Sequence, residues 1–250
     1  MAEHNHMTIG WRPFPLLALI ICQTALRAEG LLVGVARTEI TPPVGYVMGG
    51  YGARKGGSQG VHDPLYATAV VMKSGDESLA LVSLDLRSFP SNRVVNILRE
   101  EQGIAHTLLC STHTHSGPLT WEDKTWPNPD LSWFEETEDK VIAAVEEAAG
   151  SLFEAQIRSG AGKVYLGHNR RVAQDSGRTR MLWRNEAQEP TSPVDPRVGV
   201  VQISDKSGRT RVVLVNYACH AVVLGPDNRQ ISADWPGFMR GKVEREVSGA

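Results

Sequence analysis

The segment STHTHSGP (111–118) carries two histidines one residue apart, directly behind the apolar run HTLLC (106–110). In an extended chain, side chains at i and i+2 share a face, so His113 and His115 can address one point in space. Two imidazoles aimed at one point can share a metal ion. Zinc takes imidazole nitrogen at about 2.0–2.1 Å, and its catalytic sites keep three protein ligands and one open position. The pair also fits a plainer reading, two polar residues at a strand end. A third histidine, His220, ends the run VVLVNYACH (212–220). Both sites lie where an apolar run leaves a sheet, which is where α/β sheets present functional groups. If the two strands are near neighbours, His113 and His220 read as two ligands of one metal.

The elements that must position these residues are legible as runs bounded by turn residues. LLVGVARTEI (31–40), LYATAVVM (65–72), LALVSLDL (79–86), TLLCSTH (107–113), RVGVVQI (197–203) and RVVLVNYACH (211–220) read as strands. Several are almost continuously apolar, the pattern of strands buried on both faces. Helical spacing falls between them. SNRVVNILREEQG (91–103) starts at a Ser-Asn pair, puts Val94, Ile97 and Leu98 on one face, and stops at Gly103. A second helix begins at Asp130 and ends at Gly150, with Phe134, Val141, Ala144, Val145 and Ala148 at near-helical spacing. Interleaved strands and helices predict an α/β fold, a mixed β-sheet with helices packed on its faces.

Two stretches have no regular period. TPPVGYVMGGYGARKGGSQG (41–60) is glycine-rich, either a mobile surface loop or a backbone that approaches a ligand closely. It lacks the Lys-Ser/Thr ending of a phosphate loop, which argues against a nucleotide. WEDKTWPNPDLSW (121–133) gathers three tryptophans, as the mouth of an apolar pocket or as a loop anchor.

Composition narrows the partners. The 250-residue chain is 41% hydrophobic and 22% charged, ordinary for a globular protein, and its net charge of −2 comes with no block of Lys or Arg. A nucleic-acid footprint would be a basic stripe, so nucleic acid is excluded as an expected partner. Residues 1–28 read as a secretory signal, with Arg12 ahead of a short apolar run and a cleavage site after Ala28. A misassigned start and a membrane anchor are the competing readings. Secretion or a periplasmic location follows from the first. Removing the signal removes Cys22 and leaves Cys110 and Cys219, read as buried free thiols ahead of a disulfide between them. Alternation along a strand turns Cys219 away from His220 and Cys110 away from His113.

In order, the chain carries VGVARTEITPPVG, MGGYG, GVHDPLYATAVVM, SLDL, STHTHSGP, NRR and YACHAVVLGPDNRQISADWPGF. This set resembles the catalytic domain of the neutral/alkaline (non-lysosomal) ceramidase family, over residues 31–250. The metallo-β-lactamase H-x-H-x-D-H pattern fails, because Gly117 and Pro118 stand where it needs Asp and His. The resemblance implies a secreted zinc amidase that cleaves the N-acyl bond of ceramide or a related N-acyl lipid. It implies Zn2+ held by His113 and His220, with His115 beside the zinc-bound water and the scissile carbonyl. Arg170 of NRR falls where the family places an arginine near substrate, Arg171 being the adjacent choice. Gly49 and Gly50 match a loop that approaches the substrate.

His62 aligns with a family histidine, and a structural role is expected for it and for Asp63. Asp85 is read either as a hydrogen-bond partner of a ligand histidine or as a strand-end turn residue. Asp234 is read as a helix N-cap. The family also draws a glutamate and a tyrosine to its zinc from a later segment, and this chain ends at Ala250 before any such segment. The expectation is therefore the front part of a larger catalytic domain, incomplete at the C-terminus. Two alternatives stand beside it: an inactive binding module that keeps the pocket, and a zinc hydrolase of the same fold with a different amide substrate. A lipid-like amide is the expected substrate and peripheral membrane contact is possible. The oligomeric state is left open.

Overall fold

The computed structural model describes residues 30–120 and 132–247. In chain order the elements are β1 (Leu32–Glu39), β2 (Gly60–Val61), β3 (Tyr66–Ser74), β4 (Glu77–Leu84), α1 (Asn92–Glu100), β5 (His106–Ser111) and α2 (Ser132–Gly150). They are followed by β6 (Phe153–Lys163), β7 (Arg171–Ala173), β8 (Thr179–Met181), β9 (Arg197–Asp205), β10 (Thr210–Tyr217), β11 (Gln230–Ile231) and α3 (Asp234–Glu246). Seven strands form one sheet in the order β10-β9-β6-β1-β3-β4-β5. Within it β4 and β5 run parallel and the other neighbours antiparallel, so the sheet is mixed, as expected. The parallel pair needs a crossover, and α1 supplies it.

Helix α1 begins at Ser91, whose side chain accepts a hydrogen bond from the Val94 backbone N–H, and it buries Val94 and Leu98. Helix α2 buries Trp133, Val141, Ala144, Val145 and Ala148 over β1 and β3. The facing strand residues are small, Ala36, Ala67, Ala69 and Ala80, which lets the helix lie close. Contact is tightest at Gly34, where an added Cβ would sit 1.8 Å from the Ala148 carbonyl oxygen. The helix expected from Asp130 is described from Ser132 onward; Asp130, and the tryptophan-rich stretch up to residue 131, lie outside the described residues. So does the expected signal segment.

The sheet departs from expectation in four ways. Strand β6 is absent from the expected set: FEAQIR alternates apolar and polar residues over its first six positions, but SGAGK continues with glycines and small residues, and most of the strand is exposed. Strands β9 and β10 are mostly half-buried rather than covered on both faces. Beyond the main core, the described residues bury a small second cluster of Val33, Val70, Ile203 and Val212. Cys110, on edge strand β5, is exposed rather than buried; both it and Cys219 are free thiols.

Gly34 generates a packing prediction. Gly34→Ala should lower unfolding free energy by about 2 kcal/mol or more, the cost of overpacking a filled contact. Gly199→Ala, with nothing within 4 Å of its Cβ position, should change it by no more than about 0.5 kcal/mol. Urea unfolding of the two variants checks the contrast.

Candidate metal centre

Strand β5 ends at Ser111, and the next residues turn rather than continue the pleat. His113 takes a left-handed conformation, φ 64°, which costs a non-glycine residue energy unless its surroundings hold it. Its backbone N–H donates to the Leu86 carbonyl at 2.9 Å, and its Nδ1 donates to the Arg87 carbonyl at 2.7 Å. That second bond fixes the ring and leaves the Nε2 lone pair outward, the usual arrangement of a metal-binding imidazole. The two histidines therefore converge through a left-handed turn, not through the i, i+2 alternation of a strand.

His220 arrives from the far side of the sheet. Strands β5 and β10 are the two opposite edges, so the near-neighbour condition does not hold. The loops that follow them meet instead. The His115 N–H donates to the Ala221 carbonyl at 3.2 Å, and the Ser232 N–H to the Ser116 carbonyl at 2.9 Å. Thr114 Oγ1, fully buried, donates to the Ser232 carbonyl at 2.8 Å.

The result is a compact triad. Ring centroids lie 5.2 Å apart for His113 and His115, 4.8 Å for His113 and His220, and 4.6 Å for His115 and His220. Each offers one ligand nitrogen, and those three atoms lie within 4.8 Å of one another. His115 Nε2 and His220 Nε2 are 2.9 Å apart, and Arg170 Nη2 sits 3.2 Å from His220 Nδ1. Arginine only donates, so His220 accepts at Nδ1. Its own proton then sits on Nε2 and is donated to His115 Nε2. His115 must carry its proton on Nδ1, which is buried with no hydrogen-bond partner.

Burial and neighbouring groups disfavour the charged forms of His115 and His220. Burial, then the neighbouring His220 and His113, push the His115 pKa down to about 3. Burial lowers His220 as well, helped by His113 and by the Arg170 guanidinium. A set of uncharged imidazoles at hydrogen-bonding range, with one lone pair already turned outward on His113, is the donor set zinc prefers. The residues present fit a metal ion.

The other expected site residues fall around this triad. Gly50 lies against it: its φ is 105° and an added Cβ would sit 2.5 Å from His115 Cγ. Gly49 is next to it, its N–H donating to the Gly117 carbonyl at 3.0 Å. Arg170 is brought to His220, with its guanidinium also over the Trp183 ring at 5.4 Å. Arg171 lies on the exposed β7. A cleft of about 430 Å³, lined by Leu166, Trp183, Val194 and Tyr217, opens on Arg170 and His220.

Three expectations resolve differently or more simply. Asp85 contacts no histidine; its buried carboxylate accepts from the Tyr66 N–H at 3.0 Å and from Arg240 Nη1 at 2.6 Å. Burial raises its pKa in spite of Arg240. Asp234 is the first residue of α3 rather than its cap, which is Ala233. Its carboxylate accepts from the Val223 and Leu224 N–H groups, each at 3.1 Å, and so shapes the loop after His220. Asp63 is structural, accepting from Ser232 Oγ and from the Ala233 N–H, with His62 bonded to it at 2.8 Å.

Sequence reading missed Tyr51 and Arg54. Tyr51 packs edge-on against His115 with centroids 5.0 Å apart, and Arg54 reaches the His115 backbone. Both lie in the glycine-rich loop, where no spacing marks a side chain as special.

A histidine cluster at the loop end of a mixed α/β sheet, beside Arg170 and a cleft lined by both polar and apolar residues, is a set that could hold a metal ion. Residues 31–250 match the family described as neutral/alkaline non-lysosomal ceramidase, N-terminal, and the chain belongs to that family. It is 27% identical over 217 residues to the neutral ceramidase of Mycobacterium tuberculosis, covering 80% of this chain and 33% of that protein. It is 24% identical over 230 residues to the neutral ceramidase of Pseudomonas aeruginosa, covering 86% of this chain and 34% of that protein. The chain thus spans about a third of the length of the curated relatives it matches. Among solved structures, a ceramidase complexed with C2 superposes with a TM-score of 0.72 at 19% identity, over 89% of this chain and 36% of that one. The crystal structure of the Pseudomonas aeruginosa neutral ceramidase gives 0.70 at 19% identity, over 88% and 36%.

The depressed histidines generate a pH prediction for the metal-free chain. His115 resists protonation when folded, whereas an unfolded histidine titrates near about 6.5. The unfolded state therefore binds more protons between those values, and stability rises with pH there. The contribution is complete above about pH 6.5 and is lost as pH falls toward about 3. Urea midpoints at pH 7 and pH 4.5 should differ more for wild type than for His115→Gln; equal differences would remove His115 from the account.

Proposed function

We propose that this chain supplies the histidine half of the active site of a zinc-dependent amide hydrolase of the neutral ceramidase type. The observation that carries the proposal is the convergence of His113, His115 and His220, with ligand atoms within 4.8 Å of one another. His113 and His220 would hold the ion. Zinc, when bound, polarises a carbonyl and makes water a nucleophile at neutral pH.

The remaining steps belong to the protein's own groups. His115 is neutral across the physiological range; once His220 Nε2 is committed to the ion and no longer donates to it, His115 Nε2 would accept a proton from the attacking water and return it to the leaving amine nitrogen. Arg170 stands beside the cleft, where a guanidinium stabilises negative charge developing on the amide oxygen. Gly49 and Gly50 leave the approach to His115 free of side chains. The cleft volume lies in the range of small-molecule sites, and its mixed lining, with Leu166, Trp183 and Val194 beside Asn169, Arg170 and Asp195, suits an amide that carries both a polar head and an acyl chain, such as ceramide. Such a substrate reaches the protein from a membrane surface, consistent with peripheral contact and with an exported protein.

Coordination through His220 Nε2 requires that nitrogen's lone pair, so the ring proton must move to Nδ1 and Arg170 must give up its present contact. Arg170→Met should therefore bind zinc several-fold more tightly than wild type while hydrolysing an N-acyl sphingoid substrate at least about tenfold more slowly. Titration calorimetry and amine release from a short-chain ceramide check the two halves separately. Hydrolysis that survives both chelation and His113→Ala would contradict the proposed reaction.

A further inference from the structure

Arg54 is a charged residue that the reaction above does not use. It comes from the glycine-rich loop and is only 9% exposed. Among the described residues no carboxylate pairs with it, and burial pulls its pKa down. A buried guanidinium without an acid partner is costly, so its surroundings must satisfy it by other means. At its two Nη atoms they do so with carbonyl oxygens from three separate segments, while Nε is buried without a hydrogen-bond partner. Nη1 donates to the Gly49 carbonyl at 3.0 Å and to the His115 carbonyl at 2.8 Å. Nη2 reaches the Gly225 carbonyl at 3.5 Å, in the loop after His220. The same guanidinium lies over the Tyr51 ring at 4.8 Å, and Tyr51 packs edge-on against His115.

Apart from the His113 and His220 rings, the groups that bound the His115 ring on this side are tied to this one cation. Gly50, whose backbone lies against the ring, is flanked by Gly49, whose carbonyl Arg54 holds. The ring's own main chain is held at its carbonyl, and Tyr51 is held through its π face. His115 has no hydrogen-bond partner at Nδ1, so beyond the single Nε2 contact with His220 its orientation depends on packing and on these backbone anchors.

We propose that Arg54 is a positioning residue for His115, a carbonyl clamp that holds the imidazole with Nε2 toward His220. The assignment rests on the metal-centre reading above, but its test requires neither metal nor substrate. Lysine can keep the charge but cannot bridge several carbonyls in one plane; methionine keeps the length and loses both.

The experiment is two-bond ¹H–¹⁵N spectroscopy of histidine side chains in the metal-free chain, for wild type, Arg54→Met and Arg54→Lys. His106, at the start of β5, serves as the internal control. Wild type should show His115 as a single Nδ1–H tautomer. Arg54→Met should shift its two nitrogens toward the averaged values of a mobile ring, with Arg54→Lys part-way and His106 unmoved in both. A residue that merely knits the loop would lower Tm and leave the His115 tautomer in the folded protein unchanged, and that result overturns the proposal. If Arg54→Met does not fold, Arg54→Lys decides alone: a part-way shift supports the clamp and an unchanged His115 overturns it. Either result is independent of whether the complete enzyme cleaves an amide.

Discussion

Three imidazoles can meet here only because the loops leaving the two opposite edges of the sheet are pinned to each other. His115 hangs on the Ala221 carbonyl, Thr114 and Ser116 on Ser232, and Asn228 Nδ2 on Ser116 Oγ at 3.0 Å. These bonds are mostly buried, where a lost partner is expensive. The left-handed turn at His113 is held by the same logic, through Leu86 and Arg87. The rest of the site follows from this crossing. Asp234 shapes the loop behind His220, Asp63 secures Ser232 and Ala233 after β11, and Gly50 closes against the ring that results.

The second constraint is charge. The triad is ringed by guanidinium groups, Arg54 and Arg170 among them, and the Asp234 carboxylate behind His220 offsets them only in part. Protonated imidazoles would repel one another and the arginines, so the folded state selects the neutral forms. Neutral imidazoles are also what a metal ion needs. The feature that makes the metal-free site acid-sensitive is the one that makes it a good ligand set. Arg170 holds a dual position, competing for the His220 ring in this arrangement and standing ready for substrate charge in another.

Much of this was readable from the residues. The main strands and both amphipathic helices follow their periods, and His113, His115, Arg170 and His220 converge as the motif order implies. What could not be read has physical reasons. Strand β6 has a period-2 signal only in FEAQIR; its second half is glycine and small residues, and its few apolar side chains make it easy to pass over beside the apolar runs. Opposite-edge placement of β5 and β10 is a property of topology, invisible to two runs read separately. Asp234 looks like a cap because Asp before an apolar segment often is one, yet its carboxylate is committed to Val223 and Leu224. Tyr51 and Arg54 sit in a loop whose glycines drew attention to the backbone and away from its two large side chains.

The central claim, that the three histidines form one metal centre, is tested most directly by zinc stoichiometry in the purified chain beside His113→Ala and His220→Ala. The account predicts zinc bound near one ion per chain and lost in both variants. Zinc retained unchanged in either variant, or absent from wild type at saturating metal, would contradict it.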